Sequence, residues 1–368
     1  MNDRKTIAIL GASTGQKILY LKAREMGLYV IGFAWDTGVL SDDMFDEFHT
    51  VSVTDIESIV RICRQRDVDG VVTNASEFLM PLASEIADRL GLICTPSDVI
   101  RKIQNKKAVR EMTRCIPELA HPQNYLYPDR SFYGYPCVVK PIKGASKKGV
   151  SFCMDDEDFS EALRYAGDGE NEILVEEYIS GREFSVESLS FNGVHSVIQI
   201  TDKDSSGPPH FVELGHHQPS TLPETVKERV KAIISKILDC VGFRNGATHI
   251  EMKYDEQSDR LYLIEINCRG GGDHISDTLV SLSTDCDYIS EMINVALGQY
   301  TQRTYSNTGF SGISYLSKQN NGILKYFSEP RPEWMVYSER TNSELSESTS
   351  NYDRDGFFIY KSSQPVEL

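Results

Sequence analysis

The sequence predicts an α/β protein that opens on a parallel sheet and continues into α+β lobes, and three observations point there. Strand-like and helix-like segments alternate through residues 6–95, the pattern of a parallel sheet with helices on its faces. Residues 135–191 hold short apolar runs that end in lysines, glutamates and glycines. Residues 246–272 read as a hairpin whose second strand carries polar residues at alternate positions before three glycines. A length of 368 residues is too great for one ordinary core, so two or three subdomains are expected.

Composition narrows the function. Hydrophobic residues at 40% and charged residues at 25% describe an ordinary globular chain. A net charge of −16, with no Lys/Arg-dense stripe to offset it locally, argues against nucleic acid as a partner. No apolar run is long enough to span a bilayer, so no membrane partner is expected, and MNDRKTIAIL reads as the approach to a strand rather than a signal peptide. Eight scattered cysteines without a C-x-x-C pair suit a reducing cytoplasm better than a disulfide framework or a zinc site.

The elements follow in order. Strands are expected at 6–10, 28–34, 70–73 and 92–95, with helices at 16–26, 56–66 and 79–90. The turn Gly11-Ala12-Ser13-Thr14-Gly15 has two readings. It can cradle a dinucleotide phosphate, or it can be a tight strand-to-helix turn; without a full G-x-G-x-x-G, and with only the unspecific Asp36 beyond it, the second is preferred. Further on, Lys106 and Arg110 lie one helical turn apart. Lys140 ends an apolar strand before a loop with Gly144, Ala145, Ser146 and Gly149, whose small residues let backbone N–H groups approach phosphate oxygens. The lysine precedes the glycines, so this is not a Walker loop.

Residues 172–191 run from an apolar strand through Glu176, Glu177, Tyr178 and Ile179 to a turn at Gly181 and on to Glu183. Exposed backbone at such a hinge can read an adenine edge, and Glu183 can bind ribose hydroxyls; a plain hairpin is the alternative. In residues 246–267 the hairpin brings Glu251 opposite Glu265. Two facing carboxylates repel unless a cation lies between them. Oxygen ligands that include Asn267 suit a hard ion such as Mg²⁺. Glu265, Asn267 and Arg269, at every second position, share one face.

In this order the motifs resemble the ATP-grasp superfamily, in its carboxylate–amine ligase branch. The likeness is to bacterial L-amino acid ligases, with D-alanine–D-alanine ligase and biotin carboxylase-like enzymes more distant. The resemblance implies an ATP-grasp fold: a pre-ATP-grasp domain over 1–100, a small lid lobe over 101–180, a large mixed-sheet lobe over 181–300, and a β-rich element over 301–368 packed on the large lobe. It implies ATP and Mg²⁺ as cofactors, with Mn²⁺ as the other ion such a site accepts. Lys106 and Lys140 take the places of phosphate-contacting lysines, and residues 144–149, with Ser146, that of the loop over the phosphates. Glu176, Glu177 and Ile179 match the adenine hinge, Glu183 the ribose carboxylate, Glu251, Glu265 and Asn267 the metal ligands, and Arg269 the catalytic arginine beside the transferred phosphate. The implied reaction converts a carboxylate to an acyl phosphate that an amine attacks, so the partners are small carboxylates and amines. A thiol or carrier-protein acceptor and a non-catalytic ATP-binding role stay open as alternatives, and a homodimer is the base-rate expectation.

Substrate residues are expected at Glu77, Glu213, His216, Arg269, Gly272 and His274. Glu77 either holds a substrate amino group or caps the next helix, and His274 either reaches substrate or caps. Glu213 and His216 are balanced between substrate contacts and strand-end residues, and Glu213, His216 and His217 lack zinc-like spacing. The three glycines 270–272 would admit substrate oxygen to backbone N–H groups. Toward the C-terminus, strands are expected at 309–316, 322–327 and 356–361, a core helix at 282–297, and a polar loop or hairpin tip at 338–355.

Overall fold

The computed structural model describes residues 4–129, 134–143, 148–167, 169 and 172–368. A four-stranded parallel sheet comes first, in the spatial order Glu47–Thr50, Tyr29–Ala34, Thr6–Leu10, Gly70–Val72. Its strand Thr6–Leu10 is buried throughout, as a continuous aliphatic run covered on both faces must be. Ile7 and Ile9 pack with Leu19 and Tyr20 of the helix Thr14–Glu25, while Ala8 and Leu10 pack with Ile59 and Ile86 on the other side. Ile289 and Ile293, from the helix Tyr288–Ala296, join the first of these clusters and dock this sheet on the rest of the chain.

An antiparallel sheet follows, in the order Asn124–Tyr127, Ile173–Glu177, Cys137–Pro141, Ser151–Cys153. The helix Asp156–Ala166 packs on it, capped by the Asp155 carboxylate, which accepts from the N–H groups of Glu157 and Asp158. The third sheet has nine strands: Met335–Arg340, Gly356–Ser362, Phe310–Leu316, Glu213–Gln218, Val194–Ser205, Arg182–Phe191, Gly246–Asp255, Arg260–Asn267 and Leu119–Ala120. All its pairings are antiparallel except the last. Val230, Ile233, Ile234 and Ile237 of the helix Glu224–Val241 seal its core against Val186, Ile250 and Leu261. Among the described residues no helix is long and apolar enough to cross a membrane.

Three expectations fail. Residues 92–95 form no strand. The single helix over 282–297 is two, Val280–Ser283 and Tyr288–Ala296, because Thr284 leaves to bridge Asn307 and Asp287 caps a new start at Ser290 N. Residues 322–327 lie within the 3₁₀ segment Lys318–Phe327 rather than a strand.

Candidate active site

The hairpin Gly246–Asp255/Arg260–Asn267 places Glu251 directly opposite Glu265 and His249 opposite Asn267. The register then skips Ile264 between the Glu251–Glu265 and Met252–Leu263 pairs, a bulge on the second strand, and the Ile264 carbonyl accepts from Arg110 Nη2 at 2.9 Å. Each carboxylate meets an ammonium: Lys106 Nζ is 3.0 Å from Glu265 Oε1, and Lys203 Nζ is 3.0 Å from Glu251 Oε1. Lys203 also lies 2.7 Å from Glu213 and 3.5 Å from Glu183. Burial alone would drive its proton off, yet three carboxylates hold the ammonium well above its ordinary pKa. Lys203 was not foreseen, since a lysine in a strand ordinarily reads as a solvated face.

Glu176 is held by two cations. Its side chain is buried, bound by Arg110 Nε at 2.8 Å and Nη2 at 3.3 Å and paired with Lys140. Burial pushes this carboxyl up, but Arg110 and Lys140 outweigh it and hold it down to about 2. Glu176 thus pairs with Lys140, while along the hinge the Glu177 and Tyr178 N–H groups donate to the Gln123 and Pro136 carbonyls at 2.9 and 3.3 Å. The Glu177 carboxylate is occupied by the Gln123 N–H at 3.1 Å, and the Ile179 carbonyl accepts from Lys253 Nζ at 3.1 Å. Lys253 also lies over the stacked rings of Tyr178 and Phe211. Ser146 lies outside the described residues; Lys148 and Val150 beyond it line the cavity.

These groups surround one cavity of about 370 Å³, lined by strands of the second and third sheets, with Ala75 reaching it from the segment that follows the first sheet. Lys106, Lys140, Glu183, Glu251, Glu265 and Asn267 line it with Glu176, Glu177 and Ile179, and Glu213, Arg269 and Gly272 line it as well. Arg269 donates from Nε to Glu77 Oε1 at 2.8 Å. Glu77 is thus an anchor for the arginine, and the next helix takes its cap from Ser76 Oγ to Leu79 N instead. Of the three glycines, Gly270 N donates to Asn74 Oδ1 at 3.2 Å and Gly271 N to Glu187 Oε2 at 2.9 Å. Only Gly272 of the three faces open space, which corrects the expectation that all would meet substrate. A Cβ on Gly271 would lie 2.7 Å from His249 Nδ1 and 2.8 Å from Glu187 Oε1.

His216 and His274 do not line the cavity. His216 is buried behind it, 3.5 Å from Glu213 and 3.6 Å from Asp273, with its ring edge-on to Tyr315. Burial lowers its pKa, but the two acids more than compensate and the net direction is up. His274 stacks on Phe357 and lies 3.4 Å from Asp277. His217 pairs instead with Asp204 at 2.8 Å and Tyr360 at 3.0 Å. The Gly11–Gly15 turn is filled by Gln16, whose Oε1 accepts from Ser13 N and whose Nε2 donates to the Asn74 carbonyl, so the plain-turn reading holds. Asn351, Tyr352 and Arg354, from the polar stretch near the C-terminus, line the cavity and were missed. No local signal joins them to a site so far back along the chain.

Glu251, Glu265 and Asn267 offer oxygen alone, and the opposed carboxylates fit a hard divalent cation. The ammonium groups of Lys106 and Lys203 meet the same carboxylates.

Residues 133–277 match the ATP-grasp domain family. The chain is 25% identical over 296 residues to the uncharacterized protein y4rH of Sinorhizobium fredii, covering 76% of this chain and 60% of that protein. It is 26% identical over 230 residues to D-alanine–D-alanine ligase of Thermotoga petrophila, covering 58% of this chain and 72% of the ligase. The crystal structure of L-amino acid ligase from Bacillus licheniformis superposes with a TM-score of 0.80 at 21% identity, covering 99% of this chain and 95% of that one. Residues 133–277 thus match the ATP-grasp domain family, and nearly the whole chain shares the fold of that ligase structure.

Proposed function

We propose that the protein is an ATP-dependent carboxylate–amine ligase, which activates a small carboxylic acid or amino acid as an acyl phosphate. An amine then attacks the acyl phosphate, forming an amide or peptide bond and leaving ADP and phosphate as products. The observation that carries this reading is the register pairing of Glu251 with Glu265 inside a cavity that also holds Lys106, Lys140 and Arg269. Arg269 on the same cavity as Glu251, Glu265 and Asn267 is more than nucleotide binding alone calls for, which favours turnover over a binding-only role. Relatives named as D-alanine–D-alanine ligase and a structural neighbour named as an L-amino acid ligase support the same class.

Each residue then has a task. Glu251, Glu265 and Asn267 would hold Mg²⁺ or Mn²⁺, an ion that neutralises phosphate charge when bound. Lys106 and Lys140 supply further positive charge to the phosphates, with Lys140 held in place by Glu176. The hinge of Glu176, Glu177 and Ile179 receives the adenine edge and Glu183 takes the ribose hydroxyls. Arg269, steadied by Glu77, offsets charge on the transferred group and on the oxyanion that follows. Glu213 and Gly272 face the substrate, while His216 and His274 act from outside the cavity wall. A cytoplasmic setting suits ATP chemistry and eight free cysteines.

Product analysis with Mg-ATP and pooled amino acids tests the reading. ADP and phosphate that appear only with a particular pool support it. AMP and pyrophosphate overturn it in favour of adenylation.

A further inference from the structure

Residues 341–355 join the strands Met335–Arg340 and Gly356–Ser362, and they reach back to form one wall of the cavity through Asn351, Tyr352 and Arg354. The segment is braced from within. Asp355 accepts from Ser346 N at 2.7 Å and from Asn342 Nδ2 at 2.9 Å, and Asp353 accepts from Thr349 N at 2.9 Å. It is also fastened to two carboxylates of the site. Glu213 N donates to Asn351 Oδ1 at 3.0 Å, and Asn351 Nδ2 donates to Glu213 Oε2 at 3.2 Å. Arg354 donates to both oxygens of Asp273 at 2.9 and 3.0 Å and lies 3.4 Å over the Tyr315 ring. Between these anchors Tyr352 stands at the cavity mouth, 83% exposed.

We propose that this loop selects the substrate, with Tyr352 receiving an apolar or aromatic amino acid side chain; the inference rests on the ligase reading above. Three observations carry it. The loop lies outside residues 133–277, the stretch that matches the ATP-grasp domain, and supplies none of the groups assigned above to phosphate or metal. Arg354 pairs with Asp273, but Lys203 is shared by Glu213, Glu251 and Glu183, so this wall keeps a negative balance that disfavours an acidic side chain. A phenol ring held by a braced loop, with Ile275 also lining the cavity, offers apolar area without the entropy cost of ordering a mobile flap.

The test is calorimetric titration of the Mg-ADP-loaded protein with alanine, leucine, phenylalanine and glutamate, each singly. Wild type is expected to bind leucine or phenylalanine roughly tenfold more tightly than alanine or glutamate. Tyr352→Ala should erase that preference, Tyr352→Phe should keep it, and ADP affinity should be the same in all three. A preference retained in Tyr352→Ala, or no binding of any of the acids, overturns the inference. The ligase reading fails separately: AMP as product, or no acid-dependent ADP release alongside an intact binding preference, sinks that reading and leaves the selectivity of the loop standing.

Discussion

Lys106 Nζ lies 3.0 Å from Glu265 Oε1, so a lysine from one short helix neutralises a carboxylate that already faces Glu251 across a hairpin. Removing the charge of Glu265 should therefore leave the fold intact and stop the chemistry. Glu265→Gln is expected to lower ADP release by roughly a hundredfold or more, with an unchanged circular dichroism spectrum. Full activity in that variant would end the assignment of Glu265 as a metal ligand.

Glu176 should matter to stability more than to nucleotide contact. Glu176→Gln leaves Arg110 and Lys140 buried beside a neutral amide, at a cost of about 3–5 kcal/mol. Its carboxyl is held below its ordinary value, so the stability it confers is complete above about pH 4.5 and is lost as pH falls toward about 2. In that window the unfolded chain binds the proton first. Urea midpoints of wild type and variant should converge as pH is lowered; a constant gap would contradict the pairing.

Gly271 and Gly272 are neighbours with opposite tolerances. Gly271→Ala drives a Cβ into His249 and Glu187 and should destabilise by about 1–3 kcal/mol. Gly272→Ala meets nothing within 4 Å, so its melting temperature should match wild type. Equal melting temperatures for the two variants would show that the Glu187–His249 pair does not depend on close approach of the backbone.

Cys115 Sγ and Cys240 Sγ lie 3.1 Å apart at the surface. With excess oxidised glutathione the pair should form a disulfide, releasing two molecules of reduced glutathione for each bond made. Peptide mapping under non-reducing conditions should find residues 115 and 240 in one cross-linked peptide. Glutathione adducts at both positions, without the cross-link, would count against the geometry.

The alternation behind the proposed metal site was legible because it is local. Glu265 and Asn267 alternate along one strand, where period two puts them on one face, while Arg269 follows just past the strand's end rather than on it as expected. Glu251 followed from hairpin pairing. Glu176 was placed at the cavity, but its pairing with Arg110 and Lys140 was not foreseen, because they arrive from other elements. Lys203 and Arg354 were invisible for the same reason: a cation is assigned by what faces it, and Glu213 and Asp273 face them only after the chain has folded back. The split of the 282–297 helix depended on Thr284 finding Asn307, a pairing that apolar spacing does not encode.

The nine-stranded sheet also bears on how the chain can be cut. Its strand Glu213–Gln218 borders Phe310–Leu316, which in turn borders Gly356–Ser362. A fragment trimmed to residues 133–277 would strip Glu213–Gln218 of its outer neighbour and Glu176 of Arg110 in one stroke. The bared N–H and C=O groups would invite edge-to-edge pairing between molecules, so such a fragment should precipitate rather than serve as a minimal enzyme.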